Sequence, residues 1–178
     1  MAKGGAVGRG LITLVLGGAR SGKSRYAEWL IMTYPQPWIY LATAEARDEE
    51  MAERIAEHKA SRGADWQTIE APHDLAGALR AATPSAAVLV DCLTLWLSNL
   101  LERDSDIEAQ VAELQDALAE RTGPTVVVSN EVGLGIVPDN ALARRFRDLQ
   151  GNLNQRLAAQ ADRVIVMVAG IAAAVKSP

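Results

Sequence analysis

Gly17, Gly18, Ala19, Arg20, Ser21, Gly22, Lys23 and Ser24 read Gly-x-x-x-x-Gly-Lys-Ser, directly behind the apolar run Leu11 to Leu16. These residue types at this spacing are those of a P-loop. The glycines let the backbone turn tightly and aim its N–H groups at phosphate oxygens, and the helix that follows adds its positive end. Lys23 then reaches the β- and γ-phosphates of a nucleotide, and Ser24 ligates Mg²⁺. A glycine-rich turn with an unrelated lysine is the plainer alternative, but a strand before and a helix after favour nucleotide binding. Such a site also needs an acid for the metal. Asp91 closes the apolar run "AAVLVD" and is the candidate, in the manner of a Walker B segment. Capping the helix "LTLWLSNLL" is the plainer alternative; the metal role is favoured, and the two are compatible.

A second set of residues points to different chemistry. In "DEEMAERIAEHKASRGADWQTIE", helical spacing puts Arg54, His58 and Arg62 on one stripe. A row of cations does little for a helix unless an anion lies over it. Neighbouring cations also favour neutral imidazole, the nucleophilic form, at pH 7. The arrangement suits attack by His58 on a phosphate held by the arginines. A solvated helix with an incidental histidine fits the same residues, because Glu50, Glu53 and Glu57 can pair with the arginines. The other histidine, His73, precedes Asp74 at a helix start and reads as a surface turn residue.

These residues need elements to hold them. Apolar β-rich runs recur at "LITLVL" (11–16), "WIYLAT" (38–43), "AVLVD" (87–91), "TVVVSN" (125–130) and "RVIVMV" (163–168). Between them lie stretches of helical spacing at 24–34, 48–62, 74–82, 93–103, 107–121 and 140–161. The alternation predicts an α/β fold with a mostly parallel central sheet and helices on both faces, a three-layer P-loop NTPase-like architecture. The strands read as continuous apolar runs, as strands covered on both sides do. In such sheets ligands bind beyond the carboxyl ends of the strands. Gly17–Ser24, Thr43, Asp91 and Ser129–Glu131 all fall there, so one site assembled from several loops is expected.

The chain of 178 residues is expected to form a flexible lead-in over 1–10 and a single P-loop nucleotide-binding catalytic domain over 11–178. A net charge of −4 argues against nucleic acid as the main partner. The lone cysteine, Cys92, excludes an internal disulfide and suits a reducing cytosol. No apolar stretch reaches the roughly 18 residues of a membrane span. "MAKGGAVGRG" lacks the apolar core of a secretory signal. A cytoplasmic location follows as the expectation.

Several segments together carry a family resemblance: "GGARSGKSRYAE", the His58 segment, "VLVDCLTLWLSNLL", "VVVSNEVGLGIVPDNALARRFRDLQGNLNQRLAAQADRV" and "VAGI". In this order, from about Leu11 to about Ile171, the chain resembles the bifunctional adenosylcobinamide kinase / adenosylcobinamide-phosphate guanylyltransferase family of cobalamin biosynthesis. The resemblance implies two activities. One phosphorylates the aminopropanol hydroxyl of adenosylcobinamide with ATP or GTP. The other takes GMP from GTP onto a histidine and passes it to adenosylcobinamide phosphate, giving adenosyl-GDP-cobinamide. It implies His58 as the guanylylated residue and Lys23 as a second catalytic group. It implies nucleotide contacts from Gly17–Ser24, from Ala42, Thr43 and Ala44, from Lys59, Ala60, Ser61 and Arg62, and from Glu70 and Asp91. The P-loop reading already makes Ser24 and Asp91 the candidate Mg²⁺ ligands, and the assembly the resemblance implies is a homotrimer. The residues agree with this where they speak: cations follow His58, and Glu70 could accept hydrogen bonds from guanine or ribose.

"SNEVGLGIVPDN" ends a buried strand at the ligand edge. Gly133 and Gly135 allow a tight loop and Pro138 stiffens it; a structured strand–helix connection without ligand contact fits these residues too, and the resemblance favours a role in positioning substrate. Arg144, Arg145 and Arg147 read as a solvated helix face. Trp29, Trp38, Trp66 and Trp96 read as core or subunit-interface residues. The alanine-rich tail "AAAVKSP" belongs to no recognised motif.

Overall fold

Valine-, isoleucine- and leucine-rich runs build the centre of the fold. The computed structural model describes residues 9–47, 49, 52–53, 55–56 and 62–178. Over these the chain forms β1 (Ile12–Gly17), α1 (Lys23–Ile31), β2 (Trp38–Ala42), β3 (Trp66–Glu70), α2 (Leu75–Ala81) and β4 (Ala87–Asp91). There follow α3 (Leu93–Glu102), α4 (Ile107–Glu120), β5 (Thr125–Asn130), α5 (Ala141–Gln160), β6 (Arg163–Val168) and β7 (Ile171–Lys176). The expected helix over 48–62 falls largely outside the described residues, as do residues 1–8 of the expected lead-in. Arg9 and Gly10 are tied down: Arg9 pairs with Asp162, and the Gly10 N–H donates to the Arg121 carbonyl at 2.8 Å.

The seven strands make one sheet in the order β3-β2-β4-β5-β1-β6-β7. Every pairing is parallel except β6 with β7. Alternate residues of each strand face opposite layers. Ile12, Leu14, Ile39, Leu41, Val88, Val90 and Val127 pack with α2, α3, α4 and α5 on one side. Val15, Tyr40, Leu89, Val126 and Val128 pack with Ala27 and Ile31 of α1 on the other. The expected three-layer α/β architecture is thus the observed one.

Two strands go beyond the five that the apolar runs predict. β3 is an edge strand with mostly exposed side chains, so it lacks a buried run. β7 is alanine-rich and exposed throughout, a composition that disfavours strands. It forms because Ala169 and Gly170, at φ 50° and 81°, make a two-residue reversal of the type I′ kind that returns the chain along β6. That reversal touches the Gly17–Ser24 loop: the Gly170 N–H donates to the Ser21 carbonyl at 3.0 Å.

Candidate active site

The Gly17–Ser24 loop joins β1 to α1, as its spacing predicts. Gly22 is the residue before the helix and sits at φ 92°, a left-handed conformation natural to glycine. Gly17 is required for space: a Cβ there would lie 2.6 Å from the Met167 carbonyl oxygen and 2.7 Å from Ser21 Oγ. The Lys23 ammonium folds back over the loop and donates to the Gly18 carbonyl at 2.6 Å, with the residue only 8% exposed. The Ser21 hydroxyl is buried without a hydrogen-bond partner. A buried polar atom left unpaired within a loop of inward-facing backbone is what a phosphate site would complete. Ser24 is half-buried at the first turn of α1.

The strand ends line up beside this loop. Gly17 lies opposite Asn130 of β5, and Ala42 of β2 lies opposite both Asp91 of β4 and Glu70 of β3. Gly17–Ser24, Ala42–Ala44, Glu70 and Asp91 therefore share one edge of the sheet. Thr43 is fully buried, and its hydroxyl is engaged within the protein. It accepts from the Cys92 N–H at 2.8 Å and donates to the Cys92 carbonyl at 2.7 Å, locking the end of β2 to the start of α3. His58, Lys59, Ala60 and Ser61 lie outside the described residues, as does Arg54.

Asp91 does not cap α3. That position is taken by Cys92, without a side-chain hydrogen bond to the helix. The Asp91 carboxylate instead accepts from the Tyr40 hydroxyl at 3.1 Å. Burial, helped by the neighbouring Asp91 carboxylate, pushes the Tyr40 phenol well above its ordinary range, so it stays a protonated donor. The Arg62 guanidinium lies over the Tyr40 ring, 3.4 Å from its centroid, and 3.7 Å from Glu28 of α1. Among the described residues no group of three or more His, Cys, Asp or Glu forms a metal cluster. A Mg²⁺ site does not need one: this ion usually takes one or two protein oxygens and fills its octahedron with phosphates and water. Ser24 and Asp91 are hard oxygen donors of that kind.

The end of β5 is held differently. The Asn130 N–H donates to Thr94 Oγ1 at 2.9 Å, and its carbonyl accepts from Asn154 Nδ2 at 3.0 Å. Ser129, fully buried, donates to Asn154 Oδ1 at 2.7 Å and accepts from Gln150 at 2.9 Å. The Glu131 N–H donates to the Gly17 carbonyl at 3.1 Å, stitching this strand end to the phosphate loop. In the loop that follows, Leu134 and Ile136 are almost fully exposed. Arg144 is not merely solvated; it donates to the carbonyls of Pro138 and Asp139 at 2.8 and 2.7 Å and braces the loop.

Residues that carried no sequence signal complete the surroundings. Glu45, Arg47, Asn99 and Glu102 form a polar chain behind Ala44. The hydrogen bond from Arg47 holds the Glu45 carboxyl below its usual range. His73 is no free surface residue: its Nε2 lies 2.9 Å from Glu45 and its carbonyl accepts from the Trp96 indole at 2.9 Å. Trp96 is fully buried, Trp38 and Trp66 pack together, and Trp29 is largely exposed.

Known proteins match the chain over most of its length. Residues 13–175 match the family model described as cobinamide kinase / cobinamide phosphate guanyltransferase. The chain is 48% identical over 161 residues to the bifunctional adenosylcobalamin biosynthesis protein CobP of Pseudomonas aeruginosa, covering 89% of this chain and 93% of the relative. It is 44% identical over 184 residues to the bifunctional adenosylcobalamin biosynthesis protein CobU of Salmonella typhimurium, covering 93% of this chain and 100% of the relative. Among solved structures, a KaiC-like protein of Pyrococcus horikoshii shares the fold at a TM-score of 0.52 and 18% identity, over 89% of this chain and 71% of that one. The RadB recombinase does so at 0.52 and 18%, over 92% and 76%. With a family model matched over residues 13–175 and near-complete matches to these relatives, the chain belongs to the cobinamide kinase / cobinamide phosphate guanyltransferase family.

Proposed function

We propose that this chain runs both reactions of its family at the edge where β1, β2, β4 and β5 end. In the first, the aminopropanol hydroxyl of adenosylcobinamide attacks the γ-phosphorus of ATP or GTP. The new P–O bond forms as the bond to the bridging oxygen breaks, the nucleoside diphosphate leaves, and the hydroxyl proton passes to solvent. The backbone N–H groups of Gly17–Ser24 hold the phosphates and Lys23 balances their charge. Ser24 and Asp91 would hold Mg²⁺, which would supply neutralisation of phosphate charge.

In the second reaction the His58 imidazole attacks the α-phosphorus of GTP. A P–N bond forms and pyrophosphate leaves. A phosphate oxygen of adenosylcobinamide phosphate then attacks the same phosphorus, the P–N bond breaks, and adenosyl-GDP-cobinamide departs with the imidazole restored. Ala42–Ala44, Lys59–Arg62 and Glu70 are the proposed further nucleotide contacts. A cytoplasmic homotrimer completes the reading. The exposed Leu134, Ile136 and Val137 suit a protein-facing surface, and no described helix is long and apolar enough to cross a membrane.

The observation that carries this proposal is the convergence of Gly17–Ser24, Ala42, Glu70 and Asp91 on one sheet edge, with Lys23 closed over the loop. Incubation with α-labelled GTP and Mg²⁺, followed by a denaturing gel, tests it. Wild-type protein should carry label in a bond that acid cleaves and base spares, as a phosphoramidate does. His58→Ala should take up none, yet keep much of the kinase rate, which needs no covalent enzyme intermediate. Label on His58→Ala, or label stable to acid and released by base, would leave a single-activity kinase as the better reading.

A further inference from the structure

Tyr40 is the one tyrosine in the buried core. It stands two residues before the end of β2, on the same sheet face as Asp91, because Ala42 is in register with Asp91 and residues two apart share a face. Its ring packs in the layer that also holds Ala27 and Ile31 of α1. Phenylalanine would fill that layer equally well, so packing alone does not account for the hydroxyl. The hydroxyl donates to Asp91 Oδ2 at 3.1 Å.

A carboxylate at a strand end can rotate about two side-chain bonds. A donor fixed on the neighbouring strand removes that freedom and leaves the second oxygen aimed elsewhere. The donor is fixed from two sides. Its ring is gripped between the Arg62 guanidinium, 3.4 Å from the centroid, and Trp66 of β3, 6.3 Å away edge-on. Arg62 is itself buried, with its side chain only 5% exposed, and faces Glu28 of α1 at 3.7 Å. A buried guanidinium with Nε and one terminal nitrogen lacking hydrogen-bond partners is an expensive way to cover an aromatic ring. It makes sense if the stack transmits position. Arg62 lies in the His58 segment, four residues beyond the histidine, and Glu28 comes one turn beyond Ser24 on the helix that begins at the Gly17–Ser24 loop.

We infer that Tyr40 is a positioning residue for the metal-binding carboxylate, with Arg62 clamping its ring so that one buried stack sets Asp91 relative to the phosphate loop. The inference rests on the reading of Asp91 as a Mg²⁺ ligand. It assigns a function to a residue within β2 that the phosphate loop and the His58 segment do not include.

The test uses the full chain with a non-hydrolysable GTP analogue and Mn²⁺ as the metal probe, read by electron paramagnetic resonance. Tyr40→Phe keeps the ring and the Arg62 stack and loses only the hydroxyl. Its Mn²⁺ dissociation constant should rise about tenfold, the scale typical of losing a partner that orients a ligand, while the melting temperature stays near wild type. The kinase kcat should fall with little change in the KM for cobinamide. Asp91→Asn should weaken Mn²⁺ at least as much, and adding Tyr40→Phe to it should change nothing more. Wild-type Mn²⁺ affinity in Tyr40→Phe, with affinity lost in Asp91→Asn, would reduce Tyr40 to a packing residue and overturn the inference alone. Wild-type affinity in Asp91→Asn would remove the metal reading of Asp91 and the inference with it.

Discussion

The phosphate loop and the end of β5 lie side by side, with Gly17 opposite Asn130, yet they are built on different principles. The loop is mostly local. Its shape comes from glycines at close-packed or left-handed positions and from short-range hydrogen bonds of Lys23 and Ser21 to the Gly18 carbonyl, with backbone bonds from Glu131 and Gly170 tying it to the neighbouring strands. The end of β5 is assembled at long range. Thr94, Gln150 and Asn154, all at least 20 positions away, converge from two helices to fix Ser129 and Asn130. A local device can be changed without loosening the fold, whereas a long-range polar network is part of it. Chemistry and stability should therefore separate on mutation at the first and move together at the second.

The largest expected effect is at Lys23. Lys23→Ala should slow both the kinase and guanylyl-transfer steps by about 10²–10³-fold, the range for a lost electrostatic stabiliser of a transferring group. Unfolding in urea should be close to wild type. A large loss of stability in Lys23→Ala would mean that the loop is structural as well, and the contrast would fail. Asn154→Leu tests the other side. It removes partners from Ser129, Gln150 and the Asn130 carbonyl in a buried setting, which should cost roughly 1–3 kcal/mol. Turnover should fall less than in Lys23→Ala. An unchanged urea midpoint for Asn154→Leu would show that the network does not hold β5.

The same contrast explains what could be read from the sequence. The Gly-x-x-x-x-Gly-Lys-Ser spacing identifies the loop because all its determinants lie within eight residues. The buried strands announce themselves as apolar runs. Helix starts at Asp74, Asp106 and Asn140 carry their own caps, donated to by Gly77, Ala109 and Leu142. Edge strand β3 has no apolar run, and β7 depends on a reversal at Ala169–Gly170 and on pairing with β6. Tyr40 looks like an ordinary strand residue until the sheet register puts Asp91 beside it, and the places of Thr43 and Ser129 at the strand ends are legible while their partners Cys92 and Asn154 are not. Asp91 shows the limit most plainly. Its place at the strand end is legible, but the choice between capping α3 and facing Tyr40 is made by the neighbouring strand.

Cys92 offers the smallest and most local probe of the long-range side. It is 9% exposed, and its two backbone groups are both bonded to the Thr43 hydroxyl. Burial, followed by the Asp91 carboxylate beside it, pushes its thiol up to about 11. At pH 8 only about one such thiol in a thousand is ionised, and the thiolate is the form that reacts. Alkylation by iodoacetamide in native protein should therefore be slow, and below the shifted value it should rise about tenfold per pH unit as the thiolate fraction does. Activity should be untouched over the same interval, since the thiol stays unmodified. Thr43→Val keeps the shape of the side chain and removes both bonds to Cys92. If the β2–α3 junction is held by that hydroxyl, Thr43→Val should speed alkylation at fixed pH. Rapid labelling of the wild type at pH 8, or equal rates in the two proteins, would show that the junction opens without regard to Thr43.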